Sequence, residues 1–202
     1  RQLTVGRQNA EAYFSFSGTK LIFQSTNDWV KDPTAAALKP ADAGLGCYQM
    51  YVMDLDSDRV RLVSTGAGAT TCGYFFPGDR RVLYSSTHAS GPSCPPKPKR
   101  EGAYRWALDD YDIYAVDMDG QELKRLTSTP GYDAEATISP DGKTIVWTSV
   151  KDGDLDLYAM NLDGSNPRRL THEIGYDGGA FFSPDSKRIV YRAAHPTDQA
   201  EI

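Results

Sequence analysis

No apolar run in this 202-residue chain approaches the roughly 18 residues that a membrane-spanning helix needs. A basic face is equally missing. Its 22 Lys and Arg stand against 27 Asp and Glu, for a net charge of −5. The one dense basic run is Lys97-Pro98-Lys99-Arg100, inside a Pro-rich stretch. A protein whose main partner is a phosphate backbone concentrates positive charge on one face. Nucleic acid is therefore not the expected partner. There is no GxSxG, HExxH, Walker loop or GxGxxG, and no Ser/His/Asp set stands out by spacing. Paired carboxylates of the glycosidase kind are the one catalytic pattern left open, since their separation is spatial. Cysteine is scarce too, and the odd count of three leaves at least one unpaired within the chain. No segment sustains a helical period. Ala35-Ala36-Ala37-Leu38-Lys39 could form one turn.

What the chain has instead is a repeat. Four segments align as strand, tight turn, strand: Phe14–Phe23, Tyr74–Tyr84, Ile138–Trp147 and Phe182–Tyr191. The last two turn on Ser-Pro-Asp-Gly and Ser-Pro-Asp-Ser, the first on Ser-Gly and the second on Pro-Gly-Asp. Proline presets one φ of such a turn and glycine supplies a positive one. A second hairpin follows as Met50–Asp56, Ile113–Gly120 and Leu157–Gly164, with Asp-Gly turns in the latter two. These hairpins close on Arg61-Leu62-Val63, Arg125-Leu126-Thr127 and Arg169-Leu170-Thr171. The unit thus has four short strands, A to D. Trp147 and Tyr191 lie 44 positions apart, within the roughly 40–45 of a four-stranded propeller blade. Longer spacings elsewhere place insertions between strands B and C at about 28–46 and 88–109, both expected as surface loops. Phe23, Tyr84, Trp147 and Tyr191 recur at one strand-B position and are expected to pack, mostly buried, between blades.

These residues resemble the PD40, or TolB-like, family of WD40-like β-propeller repeats. The most specific pieces are Ser139-Pro140-Asp141-Gly142-Lys143 with Ile145-Val146-Trp147, and Leu157-Tyr158 through Asp163-Gly164 to Arg169-Leu170-Thr171. The expectation is an all-β propeller of four-stranded antiparallel blades, about three and a half of them, as part of a larger propeller. One domain would span 1–202, with blades near 5–63, 64–127, 128–171 and 172–202, the last incomplete, and residues 1–4 closing a preceding blade. Open blade edges would allow self-association. The resemblance implies bacterial or archaeal export to the periplasm or outside. It also implies a non-catalytic scaffold that binds a protein or peptide through one loop-rich face. The alternative is the accessory propeller of a secreted peptidase of the prolyl-oligopeptidase-like or another exopeptidase kind. A hydrolase or lyase at the channel mouth is a third reading.

In such a propeller the D-to-A links and B-to-C loops open on one face, and residues at the start of strand A ring the channel. Candidates there are Glu11, Asp133, Glu135 and Asp177, with Cys72 aligned to Glu11 and Glu135. They would form an acidic mouth for a cation, a basic peptide or a polar ligand, or else cap backbone amides between blades. His88 and His195 share one repeat position near that mouth. With Glu135 and Asp177 they could ligate a metal, but no close ligand spacing supports it. No cofactor or metal is expected. Cys47, Cys72 and Cys94 also converge on this face. A disulfide from Cys72 to one of the others is the leading reading, with a zinc site of all three thiolates plus His88 or three unrelated thiols as alternatives.

Overall fold

The computed structural model describes residues 2–4, 8–26, 46–96 and 107–194, and these are nearly all β. The first blade is β1 (Asn9–Phe14), β2 (Lys20–Ser25), β3 (Gln49–Asp54) and β4 (Val60–Leu62). The second is β5 (Thr70–Phe75), β6 (Arg81–Ser86), β7 (Asp112–Asp117) and β8 (Lys124–Arg125). The third is β9 (Asp133–Ile138), β10 (Thr144–Ser149), β11 (Asp156–Asn161) and β12 (Arg168–Arg169). A two-stranded sheet, β13 (Tyr176–Phe182) and β14 (Ile189–Ala194), follows. Each sheet runs in sequence order with antiparallel neighbours. A single 3-10 turn, His88–Ser90, is the only helical element among the described residues.

Middle strands carry runs such as VLY, IYAV and IVW that are apolar at every position because both faces of a blade are covered. Side chains alternate across the sheet, so Val82 and Tyr84 of β6 join Ile22 and Val52 of the first blade. Leu83, between them, joins Ile138 and Trp147 of the third. Val146, one residue before Trp147, packs in turn on Ala180 of β13.

The inner strand of every blade carries a bulge at one repeat position. Pairing slips between Ala10 and Tyr13, between Thr71 and Tyr74, and between Gly178 and Phe181, and the same slip sits in β9 across from Val146 and Thr148. The first bulged residue is left-handed each time: Glu11 at φ 50°, Cys72 at 53°, Glu135 at 57° and Gly179 at 61°. The second is Ala12, Gly73, Ala136 or Ala180. Opposite each pair stands the recurring aromatic, Phe23, Tyr84, Trp147 or Tyr191. Space at the second position is tight. A Cβ on Gly73 would come within 2.5 Å of Met50 Sδ and 2.6 Å of Ile22 Cδ1.

The aromatic expectation holds for three residues of four. Phe23, Tyr84 and Trp147 are buried and contact Tyr51, Tyr114 and Tyr158 on the next strand at ring separations of 6.0, 6.1 and 5.4 Å. Tyr191 is 40% exposed. Among the described residues β14 has no third strand, so Tyr191 lacks the cross-strand ring that covers the others.

The C–D hairpin corrects the register read from the sequence. Tyr114 pairs with Arg125 and Tyr158 with Arg169, but the equivalent Tyr51 pairs with Leu62. Arg61 therefore matches Lys124 and Arg168, not Arg125 and Arg169. Arg125 and Arg169 reach back 2.5 Å to the buried Asp112 and Asp156 that open strand C. Each also donates Nε–H to the carbonyl of Thr127 or Thr171. Those threonine hydroxyls accept the amides of Ile113 and Leu157. In the first blade, Ser64 accepts the amide of Met50 and donates to Gln49. A neutral pair there replaces an ionic one.

Candidate functional site

Antiparallel hairpins put the starts of β1, β5, β9 and β13 on the same face as the B-to-C connections. The bulges sit just inside it, and their left-handed residues turn toward the neighbouring blade. Glu11 accepts the amide of Cys72 at 3.1 Å and the hydroxyl of Thr71 at 3.2 Å. Glu135 accepts the amide of Gly179 at 2.9 Å, the Tyr176 hydroxyl at 2.8 Å and the Thr148 hydroxyl at 2.7 Å. The rule is that a bulge carboxylate takes the bulge amide of the next blade. It is the capping alternative of the sequence reading, extended across a blade interface. In the second blade the position is Cys72, whose thiol is pushed well up by burial and by Glu11.

Below the bulges three rings from three blades meet on the axis. Tyr13 lies 5.9 Å from Tyr74 and 5.6 Å from Phe181, and Tyr74 lies 6.3 Å from Phe181. Burial, then the charge of Glu11, pushes the Tyr13 hydroxyl up to about 12. Above them opens a cavity of about 340 Å³. Its walls carry Glu11, Glu135 and Asp109, the rings of Tyr48, Tyr111 and Tyr132, and all three cysteines.

The bridge on this rim joins Cys47 to Cys94, with Cα atoms 5.6 Å apart. Cys72 is not in a disulfide. The expected pairing through Cys72 is thus corrected. Cys47 and Cys94 flank the B-to-C connections of adjacent blades, whereas Cys72 is held in the bulge of an inner strand. The bulk of both insertions, 27–45 and 97–106, lies outside the described residues. Their described ends, Gly46, Cys94, Pro96 and Ala107, line this one cavity.

The remaining candidates are placed differently. Asp133 and Asp177, each 1% exposed, are not on the cavity wall. Asp133 accepts the Trp147 indole N–H at 3.1 Å, and burial raises its pKa despite that bond. Its role is to fix the aromatic opposite the bulge. His88 is likewise not on the wall. Its Nδ1 lies 2.8 Å from the Ser86 hydroxyl and its ring 4.2 Å from that of Tyr114. His195 lies outside the described residues. No group of three or more His, Cys, Asp or Glu suited to a metal ion occurs among the described residues. Sequence reasoning missed Asp109, Gln24 and the tyrosines of the wall, although Tyr132 stands in a Gly-Tyr-Asp triplet that recurs at Gly175-Tyr176-Asp177.

Comparison with known proteins agrees with this architecture. A family model described as the tricorn protease N-terminal β-propeller domain matches residues 108–201. A TolB homolog of Chlorobium luteolum is 34% identical over 79 residues, covering 38% of this chain and 18% of that protein. Among solved structures, the putative TolB of Agrobacterium tumefaciens superposes with a TM-score of 0.67 at 18% identity. That match covers 90% of this chain and 53% of the other. TolB of Acinetobacter baumannii gives 0.67 at 18% identity, over 94% and 39%. This chain thus spans little more than half the length of these relatives at most. Repeats, bulged inner strands and these likenesses together show a β-propeller fold of the TolB-like, PD40 type.

Proposed function

We propose that this chain is a non-catalytic binding platform that engages a protein or peptide through its loop-rich face. The observation that supports this reading most is the cavity at the mouth. Three blades contribute to it, aromatic and polar groups mix on its wall, and a disulfide fixes its rim. Concave sites of several hundred Å³ with a few placed polar groups are typical of ligand recognition. The chain is read as one propeller domain over 1–202, with blades near 5–63, 64–127, 128–171 and 172–202. The Cys47–Cys94 bridge favours a periplasmic or extracellular setting, because such bonds persist in oxidising compartments. The tricorn-type match over 108–201 keeps a second reading, the accessory propeller of a peptidase.

A photo-reactive residue tests the platform reading. Gln8→p-benzoylphenylalanine, on the cavity wall, should crosslink a discrete partner in cell-envelope extracts. Gly142→p-benzoylphenylalanine, in an A–B turn on the opposite face, should not. The reverse pattern would overturn the assignment of the binding face.

A further inference from the structure

We propose that the mouth cavity holds an organic cation, the ε-ammonium group of a lysine side chain presented by a peptide; this rests on the platform reading above. The cavity wall carries acceptors that the described residues leave unused. The Thr71 and Cys72 donors both fall on Oε2 of Glu11, so neither engages Oε1. Among the described residues the carboxylate of Asp109 meets no hydrogen-bond donor and no basic group. Gln24, on the same wall and only 6% exposed, has an Oε1 with no partner at all. A buried acceptor left unsatisfied is costly and marks where a donor is missing.

Among the described residues no Lys or Arg stands on the wall to supply that donor. Arg192 is engaged elsewhere, donating to the Tyr176 hydroxyl at 3.1 Å and lying over that ring at 4.8 Å. An ammonium group offers three N–H donors on a slim apolar stem, and aromatic faces attract it. Tyr48, Tyr111 and Tyr132 supply such faces, and burial, then the charge of Asp109, pushes the Tyr111 hydroxyl up. The acceptors are spread around a volume of about 340 Å³, which suits a side chain better than a bare metal ion. The net charge of −5 would also attract a cationic segment.

Isothermal titration calorimetry at low salt tests this with three probes: the peptide acetyl-Gly-Gly-Lys-Gly-Gly-amide, its Nε-acetyl-lysine form, and spermidine. The lysine peptide should bind saturably and the acetylated form at least tenfold more weakly. Asp109→Asn and Glu11→Gln should each weaken the lysine peptide roughly fivefold, as expected for loss of one partly exposed charge pair. Asp185→Asn, on the opposite face, should leave it unchanged, and thermal melts establish that each variant is folded. Equal binding of the two peptides, or no loss in Asp109→Asn, overturns the proposal. Binding of spermidine without the lysine peptide overturns the peptide source. A partner crosslinked at Gln8 with no lysine discrimination overturns this inference alone and leaves the platform reading standing.

Discussion

The carboxylate of Glu135 in one blade accepts the backbone amide of Gly179 in the next, 2.9 Å away, and both residues are the left-handed members of equivalent bulges. Glu135→Ala removes three hydrogen bonds at once. A charged acceptor of this kind is worth about 2 kcal/mol. The variant should lose roughly that stability in denaturant titration, whereas Glu135→Gln, which keeps an acceptor oxygen, should lose clearly less. Equal losses would show that the charge and not the cap matters.

The Asp112–Arg125 pair is expected to be strongly asymmetric. Arg125→Ala leaves the buried Asp112 uncompensated, which costs about 3 kcal/mol. The first blade shows a neutral way to build the same corner. The triple variant Asp112→Gln, Arg125→Leu, Thr127→Ser copies Gln49, Leu62 and Ser64 in the corrected register. It should recover most of the loss in an urea melt.

The recurring aromatic position separates into two classes. Trp147→Ala empties a buried site between blades and should cost about 3–5 kcal/mol. Tyr191→Ala, at a site 40% exposed, should cost less than about 1 kcal/mol. Comparable shifts in unfolding midpoint would contradict the packing described.

Acid should act through His88. Burial, and next the charge of Arg125, hold its pKa below the usual 6.5. The unfolded chain then binds this proton more readily than the folded one. Stability from this group is present above about pH 6.5 and is lost as pH falls below it. Melting temperatures recorded from pH 7.5 to 5.5 should decline less in His88→Gln than in the parent.

The disulfide assignment is open to direct measurement. A non-reduced digest should yield a Cys47–Cys94 peptide, with Cys72 alkylated more slowly in the folded than in the unfolded protein, because its thiol is held neutral. Removing the bridge with Cys47→Ser and Cys94→Ser should cost roughly 2–4 kcal/mol. A Cys72-linked peptide would contradict the structure.

The four-stranded repeat was legible because each blade writes its turns and apolar runs locally. Ser139-Pro140-Asp141-Gly142 closes in the structure as its residues demand, with Asp141 accepting the Ser139 hydroxyl and the Lys143 amide. Glu11 and Glu135 were found because they stand at one repeat position. Their cross-blade acceptance was not legible, since the left-handed bulge that aims them leaves no turn signal in the sequence. Arg61 misled because an Arg-Leu pair occurs in all three closing strands, and only cross-strand pairing reveals the one-residue offset. The cysteine pairing turned on which loop ends become neighbours around the axis, a fact of blade order and not of spacing.

The bridge between Cys47 and Cys94 also sets how this protein would respond to tension. It ties the first blade to the second, and the intervening residues span a sequence separation of 47. A force applied to the two ends bypasses that segment, so roughly 150 Å of contour length stays withheld while the bond is intact. Extension is then drawn from the residues outside the loop. Strands β3 to β6, from two blades, lie inside the covalent loop, and a reductant would be needed to let them lengthen.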